Sequence, residues 1–144
     1  EFRRVLFRSQ AAVLLVKLQY LAQWNEERRA RAAYYSERLA DVDGVIVPKE
    51  SHGNYHVWHQ YVVRLPKRDE AKRLFQERGI GCSVFYPVPL HLQECFEYLG
   101  YGEKDCPEAA QASREVLALP MFAELTEDQQ DEVISAIRDH VAAL

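Results

Sequence analysis

A proline-containing stretch at residues 79–93 has the side chains best suited to contact a ligand in this 144-residue sequence. Pro87 and Pro89 fix their own φ angles and favour extended backbone at the residue before each of them. The segment should therefore form a stiff, exposed turn that presents Tyr86, His91 and Gln93 at little ordering cost. The alternative from the residues alone is a stiff connection whose histidine is solvated or caps the next helix.

Two other kinds of chemistry receive less support. The histidines at positions 52, 56, 59 and 91 could suggest a metal, but His56 and His59 should fall on opposite faces of a strand and have no acidic partner at a ligand-like spacing. We expect no metal site. The three cysteines are an odd number without a C-x-x-C pair, so neither a disulfide framework nor a cysteine zinc site is indicated. Cys82 is expected to be a small core residue.

The elements that position the loop follow from hydrophobic periodicity and from turn residues. Residues 10–40 should form one long helix whose first turns are apolar nearly all round, so that something outside this sequence should cover them. A capping box at Thr126 should open the terminal helix. The other predicted elements are strands at residues 45–47, 56–65 and 82–86 and helices at residues 68–78, 92–99 and 107–117. This pattern predicts an α+β fold of short strands packed on helices.

Composition excludes several classes of protein. The chain is 48% hydrophobic and 28% charged, which is typical of one globular unit, and its formal net charge is −4. An acidic chain without a basic patch is a poor nucleic-acid binder. The longest apolar run, residues 11–16, is far shorter than the roughly 20 residues that a bilayer requires, so no membrane partner is expected. We expect a cytoplasmic protein with reduced cysteines.

The eight residues Y-P-V-P-L-H-L-Q, which begin at Tyr86, resemble a segment of the DegT/DnrJ/EryC1/StrS family. Three further segments, beginning at Gln10, His56 and Val116, resemble the same family in the same order. The resemblance covers only the C-terminal part of the family. It implies the small α+β C-terminal domain of a fold-type I aminotransferase that depends on pyridoxal 5′-phosphate (PLP), preceded by a long interdomain helix.

This resemblance divides the chain into three parts. Residues 10–42 would be the interdomain helix and residues 43–144 the small domain, while the large PLP-binding domain is expected to be absent. Residues 1–9 resemble the translation of a common sequencing adapter and are expected to be non-native.

The resemblance also implies a function for the intact parent protein, which would convert a nucleotide-linked keto sugar to an amino sugar. Glutamate would be the amino donor, and the parent would be a homodimer. The Schiff-base lysine would lie upstream, so this chain alone should be inactive. Its expected role is a substrate-side wall with domain and dimer contacts. The candidate substrate-binding residues are Phe85, Tyr86 and His91, with Gln93, Trp58 and His59 as outer candidates. A PLP-dependent sugar dehydratase of the same family and a freestanding α+β binding module remain alternatives.

Deleting residues 1–9 tests whether they belong to the fold. We expect the thermal midpoint of unfolding to change by no more than about one or two degrees, because changes outside the core are usually worth under about 0.5 kcal/mol. Thermal unfolding followed by circular dichroism is the measurement. A fall of about ten degrees would instead show that these residues contribute to the fold.

Overall fold

A computed structural model describes residues 2–144, with side chains from Ser9 onward. Its elements, in chain order, are the helices α1 (Phe2–Leu18) and α2 (Leu21–Leu39), strand β1 (Tyr61–Arg64), helix α3 (Arg68–Glu77), 3₁₀ turns at Leu90–Leu92 and Glu94–Leu99, helix α4 (Pro107–Glu115), strand β2 (Val116–Leu119) and helix α5 (Glu127–Ala142). The predicted α+β class is confirmed. The prediction that residues 1–9 are non-native stays a prediction. Their side chains, except that of Ser9, lie outside the described residues.

The two strands pair in antiparallel fashion, with Tyr61 opposite Leu119 and Arg64 opposite Val116. Single bridges add one extended segment at each edge, because Ile46 pairs with Arg64 and Ser83 pairs with Ala118. The extended layer therefore runs in the order Ile46, β1, β2, Ser83.

One core joins this layer to three helices. The side chains of Tyr61 and Val63 are fully buried, as the alternation of residues along the strand predicts. Helix α2 contributes Tyr35 and Leu39, α3 contributes Ala71 and Phe75, and α5 contributes Val133, Ile134 and Ile137. The predicted capping box at Thr126 is confirmed: Thr126 Oγ1 accepts from the backbone N–H of Gln129, whose side chain accepts from the backbone N–H of Thr126.

The prediction of one continuous helix over residues 10–40 was wrong at one point. A turn at Gln19 and Tyr20 separates α1 from α2. The N–H of Tyr20 donates to the carbonyl of Lys17 at 3.0 Å, three residues back, so the four-residue ladder of an α-helix is interrupted. The turn contains neither proline nor glycine, and its residues gave no signal for it.

The predicted strands were too long. Regular pairing in the segment 56–65 begins only at Tyr61, because Trp58 has a φ of +48°, outside the extended region. The segment 82–86 forms a single bridge at Ser83 rather than a strand. The segment 45–47 likewise forms only the bridge at Ile46.

The C-terminal half contains two further corrections. The helix predicted for residues 107–117 ends at Glu115, and Val116–Leu119 is strand β2. The last three residues of β2 are all buried. The prediction failed because periodicity does not distinguish a buried strand within an apolar run from the end of a helix. The helix predicted for residues 92–99 is replaced by the two 3₁₀ turns.

Helix α1 leaves apolar side chains uncovered. Leu14 and Leu18 are 64% and 61% exposed, and Leu21 at the start of α2 is 43% exposed. No helix among the described residues is long and apolar enough to cross a membrane. Contiguous apolar surface of this kind is typical of a contact site.

The 144-residue chain on its own should therefore bind a hydrophobic dye and self-associate. Replacing Leu14 and Leu18 together by glutamate should reduce both effects, because it removes apolar surface without entering the core. Dye fluorescence and analytical ultracentrifugation measure the two effects. A monomer that does not bind the dye would contradict the prediction.

Candidate functional site

The stretch around Pro87 and Pro89, called here the proline loop (residues 85–93), alternates extended and turn backbone. Pro89 is extended, with φ −67° and ψ 152°, and the Leu90–Leu92 turn follows it directly. The N–H of Leu92 donates to the carbonyl of Pro89 at 3.0 Å. Tyr86 is 70% exposed and Leu90 is 66% exposed. The loop thus presents large side chains to the outside on a backbone that prolines and short-range hydrogen bonds restrain.

A groove of about 490 Å³, called here the proline groove, separates this loop from helix α4 and the start of β2. Its lining contains no charged side chain. The residues that line it are Phe85, Tyr86, Val88, Pro89, Leu90, Gln93, Ala109, Ala112, Ser113 and Val116. Ser113 is buried, and its hydroxyl donates to the carbonyl of Ala110 at 2.8 Å. Tyr86 and Gln93 are therefore the side chains best placed to form hydrogen bonds with a ligand in this groove.

A smaller groove of about 310 Å³, called here the histidine groove, lies beside it and shares Phe85. Its polar side chains are His59, Gln60, Cys82 and Ser83, and its remaining lining is Gly81, Phe85, Ala118, Leu119, Pro120 and Met121. Burial raises the pKa of the Cys82 thiol, with a smaller opposing effect of Lys72. A raised pKa disfavours the thiolate and makes Cys82 a poor nucleophile.

The structure distributes the six predicted site residues over several environments. Phe85, Tyr86 and Gln93 line the proline groove, and His59 lines the histidine groove. Trp58 reaches neither groove: its side chain is 8% exposed, and its ring lies 4.2 Å from that of His56 and 5.6 Å from that of Tyr61.

His91 also lies outside the lining of both grooves. Its Nε2 atom is buried and has no hydrogen-bond partner among the described residues. A buried polar atom without a partner costs about 1–3 kcal/mol. The environment of His91 is thus incomplete within this part of the chain.

Residues before His59 are fixed by a group of interactions that we call the loop clamp, formed by Arg28, Arg29 and Glu50. Arg29 donates to both carboxylate oxygens of Glu50, at 2.8 and 3.1 Å, and to the carbonyl of His56 at 2.7 Å. Glu50 also accepts from the backbone N–H of His56. Arg28 donates to the carbonyl of Val57 at 3.1 Å. The clamp ties α2 to the backbone that leads into Trp58 and His59.

Sequence reasoning missed the clamp. Arg28 and Arg29 lie in a charged stretch that looks like a solvated helix face, and Glu50 is 21 residues away from Arg29 in the chain. No local pattern links residues so far apart. The guanidinium of Arg29 lies 4.4 Å from the centre of the Tyr55 ring, a cation–π contact. The aromatic Tyr55, next to His56 in the chain, was the sequence feature that could have indicated an arginine partner.

Similarity to known proteins gives this geometry its context. Residues 4–138 match the model of the DegT/DnrJ/EryC1/StrS aminotransferase family. The chain belongs to this family. It is 50% identical over 132 residues to a pleiotropic regulatory protein of Geobacillus stearothermophilus, an alignment that covers 90% of this chain and 36% of the relative. It is 38% identical over 130 residues to a dTDP-3-amino-3,4,6-trideoxy-alpha-D-glucose transaminase of Streptomyces venezuelae, covering 90% and 34%.

A solved structure shows the same fold. The crystal structure of S. venezuelae DesV in complex with a ketimine intermediate superimposes with a TM-score of 0.87 at 37% identity, over 92% of this chain and 36% of that one. The chain therefore spans about a third of the length of the family members it matches. The resemblance drawn from the four sequence segments is confirmed, as is the fold class that it implied.

The family implies PLP, but the described residues do not fit that cofactor. Covalent binding of PLP needs a lysine, with an acidic partner for the ring nitrogen and a phosphate cradle nearby. Neither the proline groove nor the histidine groove is lined by a lysine or an acidic residue. Lys67 instead lies 3.8 Å from Glu70, and Lys17 lies on helix α1 among exposed apolar residues. No group of three or more potential metal ligands occurs in the described part of the chain either.

The loop clamp should make stability depend on pH. The hydrogen bond from Arg29, with help from the backbone N–H of His56, lowers the pKa of Glu50 from 4.5 to about 2. A lowered folded-state pKa stabilises the fold fully above the unfolded-state pKa, and this contribution is lost as the pH falls through the folded-state pKa. Glu50→Gln should therefore reduce the free energy of unfolding more at pH 7 than at pH 3. Urea titrations at both pH values measure the difference.

Glu37→Gln, at an exposed position of α2, is the control for the loss of one carboxylate. An equal effect of Glu50→Gln at pH 3 and pH 7 would show that the ion pair does not form in solution.

Proposed function

We propose that this chain is the C-terminal part of a PLP-dependent aminotransferase that converts a nucleotide-linked keto sugar to an amino sugar. The chain would supply the substrate-side wall of the active site. Family membership supports the reaction class, and the Streptomyces relative that shares 38% identity is named as a transaminase of a dTDP-linked amino sugar. A thymidine or other pyrimidine nucleotide is accordingly our proposed carrier of the sugar.

The observation that carries this proposal is the proline loop. Tyr86 is exposed on a restrained backbone, and the buried Nε2 of His91 has no partner among the described residues. A rotation of the partly exposed imidazole would bring that nitrogen to a bound substrate or to a residue outside this chain. Phe85 and Gln93 would complete the wall along the proline groove, and His59 would extend it along the histidine groove. Trp58 would support the wall from within the core.

The remaining parts of the proposal concern the whole protein. PLP would be held by residues outside this chain, because the described residues do not fit it, and this chain alone would be inactive. Glutamate is the proposed amino donor. A homodimer is the proposed assembly, with this domain contributing domain and subunit contacts, in agreement with the apolar surface that α1 exposes.

Substitution of the two loop residues in the complete protein tests the wall. Tyr86→Phe and His91→Ala each remove a hydrogen-bonding group of the proposed wall, and leaving the partner group of the bound substrate unsatisfied costs about 1–3 kcal/mol. We expect kcat/KM for the sugar nucleotide to fall roughly ten- to a hundredfold in each variant. Steady-state kinetics provides the measurement, and the PLP absorbance of the protein should be unchanged.

Matched controls are Tyr98→Phe and His52→Ala, which make the same chemical changes at exposed positions outside both grooves. Unchanged kinetics together with a lower melting temperature for Tyr86→Phe and His91→Ala would reject the wall. Tyr86 and His91 would then be residues that hold the domain together. Loss of PLP from either variant would mean that the loop faces the cofactor instead.

A further inference from the structure

We propose that the proline groove binds the pyrimidine ring of the nucleotide sugar and that Gln93 reads the imide edge of that ring. This inference rests on the proposed function and assigns one part of the substrate to one part of the wall.

Charge decides which part of a nucleotide sugar the groove can take. A diphosphate is bound in proteins by arginine, by lysine or by clusters of backbone N–H groups. The lining of the proline groove contains neither arginine nor lysine, and of the residues that form its α4 wall, Ala109, Ala112 and Ser113, only Ala109 belongs to the first turn of that helix, which also carries the acidic Glu108. The groove is therefore unsuited to the diphosphate.

The sugar is also a poor match. A hydroxyl-rich ring needs several polar side chains around it to replace its hydrogen bonds to water. The hydroxyl of Ser113 already donates within α4, to the carbonyl of Ala110. Tyr86 and Gln93 remain, against a lining that is otherwise hydrophobic. A group with two apolar faces and one polar edge fits this distribution better.

A planar base has that character. The rings of Phe85 and Tyr86 meet edge to face, with centroids 5.7 Å apart and an interplanar angle of 67°, so one ring keeps its faces free of the other. Aromatic side chains stack on nucleobases of any sequence. Opposite them, the small side chains of Ala109 and Ala112 leave space, and the groove of about 490 Å³ lies within the usual size of ligand sites.

Gln93 supplies the polar edge. Its carboxamide offers one donor and one acceptor side by side, which is the pattern that pairs with a base edge carrying an acceptor and a donor. The thiol of Cys95 donates to the amide oxygen at 3.9 Å, a weak hydrogen bond that N3–H of a base would replace. In thymine or uracil, O4 accepts from the amide nitrogen and N3–H donates to the amide oxygen. The bond from N3–H depends on the imide proton, and both bonds depend on the carboxamide, so methylation at N3 and replacement of Gln93 test the contact from its two sides.

The test is a double-mutant cycle between Gln93 and the base, measured by calorimetry on the complete protein. The probes are dTDP, N3-methyl-dTDP and inorganic pyrophosphate, and the variant is Gln93→Met, which keeps length and removes both hydrogen bonds. For the unmodified protein, methylation at N3 should weaken binding of dTDP roughly tenfold. For Gln93→Met it should have almost no effect, and pyrophosphate should bind the two proteins equally.

Two further variants keep the test decisive. Gln76→Met makes the same change at an exposed position of α3 and should behave like the unmodified protein. Ala109→Trp fills the groove from an exposed position and should abolish the preference for dTDP over pyrophosphate while the circular dichroism spectrum is unchanged. If the rest of the protein occupies the groove instead, Ala109→Trp will disrupt assembly and no coupling between Gln93 and N3 will be seen, which would overturn the inference.

The two proposals fail in different ways. Turnover of a nucleotide sugar without coupling between Gln93 and N3 would reject the base subsite and leave the transaminase intact. Coupling without turnover of any nucleotide sugar would support the base subsite and reject the proposed reaction.

Discussion

The pairing of β1 with β2 determines where both walls of the proline groove lie. Helix α4 runs directly into β2 at Val116, so the position of the strand sets the position of the helix. On the other side, the N–H of Ser83 donates to the carbonyl of Ala118 at 3.2 Å, and the N–H of Ala118 donates to the carbonyl of Ser83 at 2.8 Å. The proline loop begins two residues later. Loop and helix are thus attached to the same four-residue strand, from opposite directions.

Polar contacts stabilise this strand at its first residue. Arg64 of β1 forms an ion pair with Glu115 at 2.7 Å, and the buried Arg68 donates to the carbonyl of Val116 at 2.9 Å. The hydrogen bond from Gln111, with the contribution of Arg64, lowers the pKa of Glu115. Both arginines contact the junction between α4 and β2. The end of α4 is therefore fixed by side chains as well as by the sheet, which favours a constant width of the groove.

Local signals in the sequence predicted the elements whose cause is local. The capping box at Thr126, the helix predicted for residues 68–78 and the turn of the proline loop all follow from residues a few positions apart. The residues Phe85, Tyr86 and Gln93 were placed near one another for the same reason. Predictions failed where the cause was distant. Strand β2 exists because it pairs with residues more than 50 positions earlier, and the loop clamp joins α2 to Glu50 across a gap that no periodicity spans.

The backbone of Trp58 gives the loop clamp an optical readout. The chain contains two tryptophans, and Trp58 occupies a left-handed conformation that a bulky residue adopts only when its surroundings impose it. Its N–H donates to Nδ1 of His56 at 2.9 Å, and its indole is buried between His56 and Tyr61. Release of the clamp would free the indole to return to an ordinary backbone conformation and to meet water. The emission wavelength of Trp58, recorded in a variant without Trp24, would therefore follow the opening of this loop in real time without an added label.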